Sequence, residues 1–112
     1  MLSQDRRIQR NFFSKILKEG KRYNSKHFLL YLLKYNKKSS RFSFSVSKKV
    51  TKLAVDRNKY RRRGYSLVSK YLPNIKPGSL FFFLFKKGDK KLTFNEMEKE
   101  IIYLLRETSM LV

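Results

Sequence analysis

The chain has 112 residues, no cysteine, 41% hydrophobic residues, ten phenylalanines, seven tyrosines and a formal net charge of +20. That length suits one domain with one modest core, and the lack of cysteine excludes a disulfide framework, a zinc knuckle and a thiol nucleophile. A charge this large repels itself in a free monomer, which implies a polyanionic partner, nucleic acid before any other.

The N-terminal stretch MLSQDRRIQRNFF has no apolar secretory core, and the longest apolar run, LFFFLF at 80–85, is far too short to span a bilayer. The expectation is a soluble, cytoplasmic chain with no membrane partner. In NFFSKILKEGKR, apolar residues at 13, 16 and 17 followed by Gly20 predict a short helix over about Asn11 to Glu19, closed by a C′ glycine. HFLLYLL (27–33) and RFSFSVS (41–47) read as strands joined by the polar turn YNKKSS. The second alternates strictly, with Phe42, Phe44 and Val46 on one side and Ser43, Ser45 and Ser47 on the other. His27 stands at a strand start with no carboxylate near it in sequence, and reads as an ordinary surface or edge residue.

AVDRNKYRRRGYSLV (54–68) comes next, with five basic side chains in seven positions: Arg57, Lys59, Arg61, Arg62 and Arg63. Tyr60, Gly64, Leu67 and Tyr71, with Val68 beside them, form the buried stripe of an amphipathic helix of about four turns. Arg57, Arg61 and Tyr65 share another face. Gly64 weakens such a helix by about 1 kcal/mol relative to alanine, so it marks either close packing or a weak spot. Pro73 ends the helix, and NIKPG turns into the strand SLFFFLF. Thr93 and Glu96 are spaced as a capping box, with Leu92 and Met97 placed as a hydrophobic staple. Phe94, Met97, Ile101, Leu104, Leu105 and Thr108 then follow one face of a last helix. The order is that of a single α+β domain over 1–112, without repeats or long linkers.

Charge is unevenly placed. Residues 1–88 hold 24 of the 28 Lys and Arg against only Asp5, Glu19 and Asp56, whereas residues 89–112 hold four bases and five acids. The last helix is therefore expected to be structural while the rest faces the polyanion. Clustered carboxylates, metal-ligand spacing, a P-loop and a dinucleotide fingerprint are all missing from the sequence, so the chain does not read as a self-sufficient enzyme.

SVSKKVTKLAVDRNKYRR (45–62) resembles the signature of the bacterial ribonuclease P protein subunit, in which a strand ending in Ser-x-Ser-Lys-Lys or similar leads into a helix carrying Arg-Asn-Arg-x-Lys-Arg, read here as Arg57, Asn58, Lys59, Tyr60, Arg61, Arg62. FFSKILKEGKR, FLLY, LFFFLF and LTFNEMEKEIIYLL are similar to the family's first helix, first long strand, last strand and terminal helix, in that order. Lys59 departs from the family's second arginine, keeping charge but losing the planar fork. Tyr65 stands where many members have a further arginine, Leu17 at an often aromatic position, and Thr51 and Lys52 where some members have glycine.

The resemblance implies an α-β-β-β-α-β-α sandwich like the second domain of ribosomal protein S5, with a left-handed βαβ crossover carrying the basic helix. It also implies an endoribonuclease holoenzyme that removes the 5′ leader of precursor tRNA, in which the RNA subunit supplies the active site and binds the catalytic Mg²⁺. The protein has no catalytic residue and no metal site of its own, and its partners are ribonuclease P RNA and precursor tRNA, with no homo-oligomer required. Lys48, Lys49, Arg57, Asn58, Lys59, Arg61 and Arg62 are then expected to bind the RNA subunit. Arginine forks suit phosphates and guanine edges, and Asn58 both donates and accepts. Phe13, Leu17 and Tyr31 are expected at a leader cleft, where a single strand asks for apolar or aromatic surfaces flanked by cations. Phe13 and Leu17 also fit a plain core role. Two other classes share parts of this pattern: a ribosomal or other structural RNA-binding protein, and a cationic membrane-surface protein with an amphipathic basic helix.

Overall fold

A computed structural model describes residues 6–35, 39–88 and 91–112. The elements in chain order are a 3₁₀ turn (Arg10–Phe12), α1 (Phe13–Glu19), β1 (Lys21–Asn24), β2 (Phe28–Lys34), β3 (Arg41–Ser45), α2 (Ala54–Tyr71), a 3₁₀ turn (Leu72–Asn74), β4 (Ser79–Phe85) and α3 (Phe94–Glu107). The sheet order is β1-β2-β4-β3, with β3 parallel to β4 and the other neighbours antiparallel. This is the expected mixed α+β order of three helices and four strands.

Two expectations change. The segment 35–40 does not close a hairpin, because β4 is inserted between β2 and β3; its residues 36–38 lie outside the described residues. β1 was not legible from the residues alone. Its four residues KRYN leave only Tyr23 half-buried and lie at the sheet edge, so no apolar alternation marks them.

β4 explains the layering. It is central and carries apolar side chains on both faces, the signature of a strand covered from both sides. Phe81, Phe83 and Phe85 face the larger core beneath α2 and α3 with Phe28, Leu30, Phe42 and Phe44. Leu80 and Phe82 face a smaller cluster under α1, with Ile8 and Ile16. Registered pairs Phe42/Phe81 and Phe44/Phe83 stack with ring centroids 4.9 and 4.7 Å apart.

Gly64 marks close packing rather than weakness. A Cβ there would lie 2.7 Å from the Phe44 ring, which is itself held by Phe83 behind it and by Tyr65 edge-on at 5.1 Å. Gly20 likewise permits close approach. It does not take the left-handed cap expected of a C′ glycine (φ −69°), and a Cβ would meet the Ile16 carbonyl oxygen at 2.5 Å. The first helix is also shorter than expected, its start being the 3₁₀ turn.

The capping box of α3 forms as its spacing predicts: the Glu96 N–H donates to Thr93 Oγ1 at 3.2 Å and the Thr93 N–H to Glu96 Oε1 at 3.1 Å. Met97, Ile101, Leu104 and Leu105 are fully buried and Thr108 nearly so, but Phe94, at the first helical position, is 40% exposed. His27 overturns its expectation. It is buried, with its Nδ1 against Glu100 Oε2, its backbone N–H donating to Oε1 at 2.7 Å, and Ser25 Oγ donating to Oε1 at 2.6 Å. The carboxylate comes from α3, 73 residues away in sequence, so local reading could not supply it.

Burial works to raise the Glu100 carboxyl, but the hydrogen bonds from Ser25 and His27 outweigh it and hold it below its ordinary 4.5. A carboxyl depressed by folding adds stability that is complete above its unfolded value and lost as pH falls through the folded one. Glu100→Gln should therefore destabilise the chain by about 1–3 kcal/mol at neutral pH. It should also flatten the fall in stability below about pH 4.5, read by urea unfolding across pH. Gly64→Ala should destabilise by about 1–3 kcal/mol although alanine is the better helix former, because the Phe44 ring has nowhere to retreat; denaturant titration with unchanged m-value reads this.

Candidate nucleic-acid interface

α2 buries Tyr60, Gly64, Leu67 and Val68 against the sheet, which turns the basic positions between them outward. Asn58, Lys59 and Arg62 are exposed and Arg61 half-exposed. Arg61 Nη2 donates to Asn58 Oδ1, so the two side chains present one surface. Asn58, Arg61, Arg62 and Tyr65 line a shallow hollow with Arg7, whose guanidinium carbon lies 5.1 Å over the Tyr65 ring. Tyr65 thus takes a cation on its face and accepts the Phe44 N–H at its hydroxyl (3.3 Å), satisfying a backbone donor of the edge strand β3.

Arg57 is placed differently from Arg61. Its Nη1 donates to the Thr51 and Lys52 carbonyl oxygens at 3.0 and 2.7 Å, pinning the connector that enters α2. That leaves Nη2 and Nε for an outside acceptor. The N-cap position, Leu53, offers no side-chain cap, and the arginine, a donor, holds the carbonyls ahead of the helix rather than its first N–H groups. Lys48 and Lys49 are exposed in the same connector and border a second hollow with Lys52 and Lys87. Arg7, Lys52 and Lys87 were not among the residues expected to bind RNA; Arg7 gives no local signal because it joins α2 only through the fold.

The opposite face of the sheet carries the aromatic residues. Phe13 and Tyr31 both approach Phe82, with centroids 4.9 and 6.4 Å apart. Registers across the sheet align Arg22, Tyr31, Phe82 and Ser43 in one row, and Asn24, Leu29, Leu84 and Ser45 in the next. Along β4 on this face, Leu80 is fully buried, Phe82 nearly so, and Leu84 half-exposed. The sheet therefore emerges from under α1 as an open shelf with an arginine and two hydroxyls beside the rings. Leu17 is 51% exposed, which excludes a core role for it. Phe82 and Arg22 belong to this shelf and were not named from sequence: Phe82 was lost within an unbroken apolar run.

The two surfaces meet around β3. Arg7 pairs with Phe42 on the strand's outer edge, the Ile8 N–H donates to the Phe42 carbonyl at 3.0 Å, and Arg41 Nη1 donates to the Arg7 carbonyl at 3.2 Å.

A family model described as Ribonuclease P matches residues 1–109. The chain is 37% identical over 99 residues to the ribonuclease P protein component of Clostridioides difficile (strain 630), covering 86% of this chain and 84% of that one. It is 32% identical over 94 residues to that of Streptococcus pneumoniae (strain Hungary19A-6), covering 84% and 76%. Among solved structures, the Staphylococcus aureus RNase P protein superposes with a TM-score of 0.86 at 22% identity over 96% of this chain and 98% of that one. The Thermotoga maritima protein gives 0.81 at 24% identity over 90% and 96%. A basic helix braced on a stacked aromatic sheet, an aromatic shelf on its far side and a family match over nearly the whole length agree: the chain belongs to the ribonuclease P protein component family.

Proposed function

We propose that the chain works as the protein half of a ribonucleoprotein in which α2 grips the ribonuclease P RNA and the shelf beside α1 holds the 5′ leader of precursor tRNA, so that leader removal is favoured. The observation that carries the reading is the division of labour across one sheet. Forked cations with an amide suit the clustered phosphates and base edges of a folded RNA, and half-open rings beside Arg22 suit an unpaired strand. Lys48, Lys49, Lys59, Arg61 and Arg62, with Asn58, serve the first surface; Arg57 serves it while bracing the connector. Phe13 and Tyr31 serve the second, with Phe82 beneath them and Leu17 at its rim.

Among the described residues no three histidine or acidic side chains converge on a possible metal position; the reading gives Mg²⁺ and the chemistry to the RNA. No helix among the described residues is long and apolar enough to cross a membrane. Family membership favours this reading over a structural ribosomal protein. Reconstitution with the ribonuclease P RNA of the same genome, assayed for precursor tRNA cleavage at low Mg²⁺, tests it: the protein should stimulate cleavage and should cleave nothing alone. No stimulation would sink the reading.

Arg61→Ala with Arg62→Ala should weaken RNA-subunit binding by a few kcal/mol and lower its salt dependence, with the melting temperature nearly unchanged, since exposed charges stabilise the monomer little. Filter binding over a salt series measures it. Tyr31→Ala should leave holoenzyme assembly nearly unchanged and weaken precursor binding by about 1–3 kcal/mol, the scale of one base–aromatic stack, while mature tRNA binds as before. Paired titrations with precursor and product read the difference; equal weakening of both would remove Tyr31 from the leader surface.

A further inference from the structure

A cavity of about 260 Å³ lies where the first turn of α2 meets the end of β4, and neither surface described above accounts for it. Drug-sized ligands take roughly 300–1,000 Å³, so this space suits one planar ring system. Tyr60 and Phe85, stacked at 5.5 Å, supply an aromatic wall. His27, Asp56, Lys86 and Lys91 supply the polar groups.

Asp56 is the unusual member. It is one of three acids in the first 88 residues and adjoins the most basic run in the chain. Among the described residues, neither ion pair nor hydrogen bond engages its carboxylate. A lone carboxylate repels phosphate, and ionised it only accepts hydrogen bonds. His27 is held in one orientation, because Glu100, kept ionised by its donors, takes Nδ1 and so fixes the proton there. Its Nε2 has no partner among the described residues. Val50 and Thr51 line this cavity and also the hollow rimmed by Lys48, Lys49, Lys52 and Lys87, so a phosphate chain on those lysines passes the cavity mouth.

We propose that this cavity receives a single unstacked guanine base of an RNA strand, with Asp56 accepting from its N1–H and its 2-amino group while the strand's phosphates follow the lysine rim. Guanine alone among the four bases offers two adjacent donors on that edge. Adenine and cytosine offer one donor beside an acceptor, and uracil one donor between two carbonyls that a carboxylate repels. Lys91 at the rim offers the cation that guanine O6 accepts from. The inference rests on RNA being the partner and adds a base preference to it.

The test uses the full chain and end-labelled uridine heptamers carrying a central guanosine, adenosine, inosine or uridine, titrated by fluorescence anisotropy at fixed salt. The guanosine heptamer should bind about tenfold tighter than the adenosine one, the scale of one bidentate base contact, with inosine, which lacks the 2-amino group, in between. Asp56→Asn should abolish the preference and weaken the guanosine complex although it makes the protein more positive. Charge alone predicts the opposite sign. Asp56 also stands in the first turn of α2, where its charge favours the helix dipole, so a thermal melt of the variant measures that share separately.

Guanosine and adenosine heptamers binding alike, or the variant binding guanosine as tightly as the parent, would overturn the pocket while leaving the RNA reading standing. Failure of every heptamer to bind would overturn both. Free GMP binding as tightly as the guanosine heptamer would overturn delivery by a strand.

Discussion

The Phe44 ring is the contact on which the working surfaces depend. It stacks on Phe83, meets Tyr65 edge-on, and presses so closely on α2 that only glycine fits opposite it. Offset and edge-to-face aromatic pairs favour particular geometries beyond the area they bury. That directional contact fixes the rotation of α2 about its own axis as well as its distance from the sheet. The rotation decides which of the side chains between Arg57 and Arg63 face outward. A basic helix seated only by aliphatic side chains would have more freedom to roll and would present its cations less sharply.

The acids are deployed so as to leave that charge uncompensated. Glu96 is taken by the cap of α3, and the Thr93 N–H, then its hydroxyl, lower its carboxyl. Glu98 accepts from Lys70 at 2.9 Å and from Tyr71 at 2.7 Å, which lower its carboxyl in that order. Glu100 holds His27 and Ser25. Three carboxylates that could have screened the basic face are instead spent within or beside the helix that carries them. Among the described residues only the pair with Lys70 neutralises a cation of α2, and it does so near the helix's last turn, away from Arg61 and Arg62.

Much of this was legible because local rules carry it. The capping box, the alternation of β3 and the stripe of α2 each depend on residues a turn or a pleat apart, where spacing alone determines a face. What escaped reading lies across long separations or in short edge segments. His27 needs Glu100, Arg7 needs Tyr65, and β1 needs β2 to become a strand at all. Phe82 escaped for another reason: in a strand buried on both faces the period of two disappears, so nothing in LFFFLF says which ring looks toward the shelf. Leu17 followed its helical spacing correctly, yet the short α1 does not cover it.

β3 turns Phe42 and Phe44 toward α2 and Ser43 and Ser45 toward the shelf, so a single strand with no joint in it forms part of both sides. The two surfaces are consequently separated by the sheet and the α2 layer seated on it, a spacing that neither can alter. On the proposed two-sided reading, an RNA assembly bound on one side holds its second segment at a set displacement from the other, so the second association becomes intramolecular, with an effective concentration determined by the protein's rigidity. Loosening β3 would change neither set of contacts in kind, but it would spread that displacement into a distribution. If both proposed surfaces hold RNA, the strand acts as a spacer gauge and its stiffness is part of the affinity.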